Sequence, residues 1–294
     1  NVSSNPKDIE ITGGSHIYSS EKCSLILAVG GGSVIDCAKG IAASYTGSVK
    51  INEFEGEDLI PLMPPPLICI PTTAGTSSDL SPYAMVTRTD QKRKYTIKSR
   101  KIMPRITLID SITTTTLSPE LTAYSGMAIL ANAFDAYTSA MSSPLTDMFA
   151  LRALNLVFHN LVPAIEHHYD LRYRDRMMYA SLLAGMALST TGPGLYHAAA
   201  NSLSGLTGLT HGECCAALLE TAARADFYSC ADRYSDLTRS TGVDTEGMGH
   251  DRVKDALINE IASLRTRAGL CSSLKSLGVT ESVIPELARY ALSD

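Results

Sequence analysis

The chain has 294 residues, 45% of them hydrophobic and 19% charged, a globular composition with room, at roughly 150 residues per domain, for two hydrophobic cores. Twenty-five Lys and Arg against thirty Asp and Glu leave a net charge of −5 with no basic block, which excludes the electrostatic footprint of a nucleic-acid or anionic-lipid binder. No uninterrupted apolar run approaches the ~18 residues of a membrane span, so the expected partners are small molecules or protein, with no nucleic acid and no membrane.

The seven cysteines are odd in number and contain no CxxC pair. Neither a disulfide framework nor a zinc knuckle is written in them, and a reducing, cytoplasmic setting is expected. The first residues, Asn1 to Ser4, are neither an initiator Met nor a signal peptide, which leads us to expect that the gene's start lies upstream.

Taken in chain order, Ser24 to Val29 reads SLILAV, apolar on both faces, which suits a strand buried in a parallel sheet. Gly30, Gly31 and Gly32 stop it, and Ser33 is placed to cap a helix in which Val34, Cys37, Ala38 and Ile41 share a face. A second strand is expected at Leu67 to Ile70, feeding the hydroxyl-rich loop Pro71 to Ser78 around Gly75. Ala84 to Thr87 and Tyr95 to Lys98 read as two further β-like stretches separated by the turn-like Thr89 and Asp90, and Ile106 to Ile109 as a last strand. Ser118 followed by Pro119 opens a helix, and the chain is expected to stay helical to its end. Breaks are expected at Ser143 and Pro144, at Pro163, at Gly192 to Gly194, at Gly208 to Gly212 and through Thr241 to Gly249, with the threonines 113 to 116 in a loop.

A glycine loop between a buried strand and a helix lets backbone N–H groups approach a phosphate at the positive end of the helix dipole. Here the pattern is incomplete: Gly30 and Gly32 match GxGxxG, but the sixth place is Ile35. Taken alone, such a loop is more often a tight turn, and Asp36 and Lys39 read equally as ordinary first-turn and surface charges. Thr72, Thr73, Thr76, Ser77 and Ser78 follow a neighbouring strand, where open α/β sheets bind ligands, or else form a solvated turn. The GGSVI around Ser33 breaks the GxSxG elbow of hydrolases. His197, near the start of a helix, and His211, in a turn before one, could meet in a single cavity; they could equally be two buried histidines bonded to backbone. His167 and His168 fall in a polar helical stretch and are expected to be exposed.

The segments GGGSVIDCAK (30–39), PTTAGTSSD (71–79), LTAYSGMAILANAFDAY (121–137) and GLYHAAANSLSGLTGLTHG (194–212) together resemble the iron-containing, group III, alcohol dehydrogenase family. HGECCAALL (211–219) and IPELARYA (284–291) are most similar to its branch of ethanol-oxidation regulators. The resemblance spans nearly the whole chain. It implies an α/β plus all-α fold: a partial Rossmann-like nucleotide-binding domain over residues 1–117, then an all-helical metal and substrate domain over 118–294, as in dehydroquinate synthase. It implies NAD or NADP as cofactor, a small alcohol or aldehyde as substrate, and a homo-oligomer. By position, Gly31, Gly32 and Ser33 would cradle the pyrophosphate, Thr72, Thr73 and Thr76 would line the nicotinamide and ribose pocket, and Lys94 would contact the cofactor. Ser77 replaces the family's usual glycine.

The metal site departs further from the family pattern. The family holds iron or zinc with an Asp and a His four residues apart and two histidines fourteen apart. His197 and His211 keep the latter spacing and stand as the catalytic and metal-binding candidates, whereas the other two places are Ala128 and Asn132. A further family histidine near the chemistry is Asn201 here. Two neutral imidazoles hold a divalent ion poorly where three protein ligands are usual, so an empty or weakly occupied metal site is expected. The family also carries a strand, helix and strand ahead of the segment near Asn1 and a further stretch beyond Asp294. If the polypeptide begins at Asn1, the adenine site is incomplete and a sheet edge is exposed.

Two readings therefore stand. One is a nicotinamide-dependent oxidoreductase passing hydride between nicotinamide and a small alcohol or aldehyde, its metal dependence weakened or lost, as in the similarly folded maleylacetate reductases. The other is a catalytically inactive pseudo-enzyme acting as a regulatory or assembly protein. A dehydroquinate synthase activity is a distant third, since it needs a zinc triad.

Overall fold

The computed structural model describes residues 2–45, 50–91, 93–271 and 273–292. In helix α1 (Asp8–Ser20) the Glu10 carboxylate accepts at 3.0 Å from the N–H of Lys7, the N-cap donor a helix start would otherwise strand, and at 3.0 Å from Ser3 N in the segment leading into the helix. Strand β1 (Ile26–Gly30) leads through the glycines into α2 (Gly32–Tyr45). Then come β2 (Gly56–Glu57), β3 (Leu67–Pro71), the hairpin β4 (Tyr83–Arg88) and β5 (Arg93–Lys98), and β6 (Ile106–Thr107). Among the described residues the strands form two sheets: parallel β1-β3-β6, and β2-β5-β4 with β4 and β5 antiparallel.

From Pro119 on the architecture is helical: α3 (Pro119–Thr138), α4 (Pro144–Glu166), α5 (Leu171–Thr191), α6 (Leu195–Thr207), α7 (His211–Cys230), α8 (Tyr234–Ser240), α9 (His250–Arg267) and α10 (Ile284–Ala291). The caps follow the residue chemistry. Ser118 Oγ accepts from Leu121 N at 3.1 Å, with Pro119 at the first helical position, where its missing N–H costs nothing. The expected α/β plus helical order is therefore the observed one.

Local readings differ from the structure at several points. The sheet of β1 is covered on one face only. Ala28, Leu67 and Cys69 pack with Ile35 and Ala38 of α2, while Leu27 is 55%, Val29 52% and Ile106 50% exposed. An apolar run shows that both faces could be buried, but only the placement of α2 decides which one is. Helix α2 begins at Gly32 rather than after Ser33, because Gly31 O already accepts from Val34 N and Ile35 N; the Ser33 hydroxyl instead accepts from Asn5 N at 3.2 Å.

Pro163 does not break α4. It sits in the last turn, where its missing N–H removes a single ladder bond, and the buried Leu161 and Ala164 on either side of it hold the turn against the core. Helix α4 is also long and apolar enough to cross a membrane, with a mean hydropathy of 1.4 over its best window. The sequence run is interrupted by Asp147, Arg152 and His159, and the helix is a core element here, burying Ala150, Ala153, Leu154, Val157 and Leu161. His167 and His168 follow α4 rather than lying in it, His167 exposed and His168 half-buried. Residues 111–114 form a 3-10 turn rather than plain loop.

Candidate active-site cleft

A cleft of about 1370 Å³ runs between the sheets and the helices. Its floor on the sheet side is built from the two loops singled out in the sequence. Gly32, Ser33, Thr73 and Thr76 line it; Gly31 and Thr72 do not. Their backbones are used elsewhere, Gly31 O at the start of α2 and Thr72 N in a 3.0 Å bond to Gly30 O. The closeness of the two loops demands glycine at position 32: a Cβ there would lie 2.6 Å from Thr76 Oγ1.

Asp36 and Lys39 are not surface charges. The β4 hairpin packs over α2, so the face carrying both is enclosed. Lys39 is fully buried, its amine donating to Ser81 O at 2.8 Å and Tyr83 O at 2.6 Å. Burial pushes its pKa down, and the nearby Asp36 pulls it back up. Burial raises the pKa of Asp36 in turn, opposed by the Lys39 charge. Asp36 Oδ2 accepts from Met85 N at 3.3 Å, the Ser78 side chain helps hold the carboxylate, and the residue lines the cleft.

Lys94, on β5, reaches Ser204 Oγ of α6 at 2.8 Å. Desolvation lowers its pKa to about 8, against the opposing pull of Cys214, Asp36 and Cys215. His197 and His211 do meet, their ring centroids 5.5 Å apart. His211 is the first residue of α7, not part of a turn before it. A reciprocal cap starts the helix there: Glu213 N donates to Thr210 Oγ1 at 3.4 Å, and Thr210 N to Glu213 Oε2 at 2.7 Å. The T-x-x-E spacing of Thr210 and Glu213 was legible as this capping box. Desolvation, followed by the charges of His197 and Lys94, holds the His211 pKa well below its usual value, and its Nε2 lies 3.3 Å from Cys215 Sγ.

His197 is held on both sides. Its Nδ1 lies 2.5 Å from Asp135 Oδ2, and Nε2 lies 2.8 Å from Asn132 Oδ1. Asp135 Oδ2 also accepts from Gly194 N at 2.9 Å and His197 N at 3.2 Å, an anion at the N-terminus of α6 where the helix dipole favours one. Asn132 donates through Nδ2 to Gly75 O at 3.1 Å and Ser77 Oγ at 2.6 Å. Ser77 takes the left-handed φ of +55°, which accounts for glycine being usual there. Asp135 was not singled out in the sequence; its signal is its place one helical turn after Asn132.

These residues do not fit a divalent ion. Ala128 offers no donor atom, Asn132 spends its amide on the loop and on His197, and among the described residues no three His, Cys, Asp or Glu side chains converge as a ligand set. A catalytic ion normally has three protein ligands.

Residues 1–111 match the family model for iron-containing alcohol dehydrogenase, and residues 122–294 match that for the C-terminal part of the Fe-containing alcohol dehydrogenase family. The chain belongs to the iron-containing alcohol dehydrogenase family. This family member is 34% identical over 293 residues to the 1,3-propanediol dehydrogenase of Citrobacter freundii, covering 100% of this chain and 76% of that one. A crystal structure of 1,3-propanediol oxidoreductase superposes with a TM-score of 0.96 at 34% identity, over 100% of this chain and 77% of the other. Sulfoacetaldehyde reductase from Bifidobacterium kashiwanohense, solved in complex with NAD+, gives 0.88 at 29% identity, over 99% and 76%. Similarity to alcohol-dehydrogenase-type oxidoreductases thus extends over both halves of this iron-alcohol-dehydrogenase fold.

Proposed function

We propose that this chain is a nicotinamide-dependent oxidoreductase that moves hydride between NAD or NADP and a small alcohol or aldehyde, with its metal dependence weakened or lost. One observation carries the reading: the N-terminus of α2 opens into the cleft beside Thr73, Thr76 and Lys94, a set with the donors and the cation that a dinucleotide requires. The NAD+ bound to the sulfoacetaldehyde reductase and the alcohol substrates named for relatives support both halves of the reading.

The nicotinamide supplies the hydride chemistry. The chain's own residues bind and orient. Gly32 and Ser33 bring backbone N–H groups to the pyrophosphate, Thr73 and Thr76 offer hydroxyls to the ribose and nicotinamide, and Lys94 supplies positive charge. His211, neutral because of its surroundings, offers one ring N–H to a substrate oxygen, while His197 is turned to Asp135 and Asn132. Without an ion, neither the alcohol's proton is loosened nor the aldehyde polarised by a Lewis acid, so in both directions the substrate oxygen depends on the chain's own hydrogen-bond donors.

The Asn132 bridge also favours the second reading, a catalytically inactive relative acting through protein contacts. NADH fluorescence titration together with aldehyde reduction in the presence of a chelator separates the two. NADH binding with chelator-resistant turnover supports the enzyme; NADH binding without turnover over a panel of small aldehydes supports the regulator. Absence of binding of both NADH and NADPH ends the nicotinamide reading.

A further inference from the structure

The partners of Asn132 determine its orientation and, through it, that of His197. Gly75 O can only accept, so the atom 3.1 Å from it is the amide nitrogen. The amide oxygen must then face His197, and at 2.8 Å from Nε2 it can only accept as well. Nε2 therefore carries a proton and donates it. On the other side of the ring, Nδ1 lies 2.5 Å from Asp135 Oδ2. Both ring nitrogens are thus engaged by side chains of α3, and Nε2 faces Asn132 rather than an open coordination position.

We infer that Asn132 stands in for the ion: its side-chain amide joins the Gly75–Ser77 loop of the sheet half to His197 of the helical half, and it is the positioning residue of a site that excludes divalent cations. Asn132, Asp135 and His197 are 2%, 3% and 6% exposed, so every polar atom in the bridge needs its partner. Within the bridge each donor finds an acceptor: Nδ2 serves Gly75 O and Ser77 Oγ, and Oδ1 receives His197 Nε2. Ala128, one turn before Asn132, lines the cleft with a methyl group, which offers an ion no donor atom there. The inference deepens the proposed metal-independent reaction and rests on that reading for its bearing on catalysis. Its test needs no nucleotide, so the two can fail separately.

The test is a Zn²⁺ titration against a chelating indicator on the intact 294-residue chain, with His197→Ala run in parallel to subtract ions held by cysteines. The expected result is the same zinc uptake in both proteins, and at least about a 100-fold gain in affinity in Ala128→Asp/Asn132→His, which exchanges the bridge for ligands. A His197-dependent ion in the unmodified chain overturns the inference, as does a folded double variant with no gain. Should the double variant fail to fold, nitrogen-15 NMR of labelled histidine in the unmodified chain decides. A proton on Nε2 of His197 supports the bridge, and a bare Nε2 refutes it.

Discussion

Asp135 Oδ2 and His197 Nδ1 lie 2.5 Å apart, and the same oxygen gathers the backbone N–H groups of Gly194 and His197. One carboxylate thus starts helix α6 and orients the ring at its head. Asp135→Asn keeps the shape and removes the charge, so we expect a loss of about 2 kcal/mol, the scale of hydrogen bonds to an ionised group. Denaturant unfolding measures the loss. Amide exchange should quicken first at residues 194–197, and uniform protection across that turn would show that the carboxylate is not what holds it.

Lys39 offers a second test of buried polarity. Lys39→Met keeps the volume but leaves Ser81 O and Tyr83 O without their donor and Asp36 without its compensating charge. The expected cost is about 3 kcal/mol, with Asp36 moving toward its protonated form. A thermal melt unchanged from that of the parent would contradict this account of α2.

Gly75 is required by backbone and space together. Its φ is +141°, and a Cβ would sit 2.3 Å from Ser125 O on α3. Gly75→Ala should therefore destabilise by about 3 kcal/mol and shift the loop that Asn132 grips, lowering NADH affinity with it. Calorimetric unfolding and fluorescence titration read the two effects independently.

The pH dependence of NADH affinity follows from Lys94. Its pKa in the free protein is lowered to about 8 by desolvation. An anionic ligand beside the ammonium would raise that value, so binding takes up a proton when the pH exceeds about 8, and affinity falls as pH rises through that point. Lys94→Met should bind more weakly throughout and lose this limb of the profile. Parallel profiles in the two proteins would remove Lys94 from the nucleotide site.

The bare face of the β1-β3-β6 sheet makes its own prediction. Leu27, Val29 and Ile106 are each about half exposed and lie on the two strands that flank β3, Leu27 beside Ile68 and Ile68 beside Ile106. Leu27→Lys should reduce binding of an apolar dye and slow aggregation of this chain, with little change in melting temperature because the opposite face carries the packing. A large drop in melting temperature would place Leu27 in the core instead.

What the sequence by itself determined is local: a glycine stop after an apolar run, Ser118 before Pro119, and helix breaks at Gly192 to Gly194. In each case the residue restricts its own backbone or that of near neighbours, so no distant partner is needed to read the outcome. Family membership was legible for a related reason, because ordered motifs persist along the chain whatever has happened between them. Only the tertiary structure decided which face of β1 lies bare, that Lys39 is enclosed, and that Asp135, Asn132 and His197 form one bridge. Those outcomes depend on groups brought together across the fold, His197 lying 65 residues from Asn132, and whether a polar side chain meets water or a partner is settled only when the elements carrying both have packed.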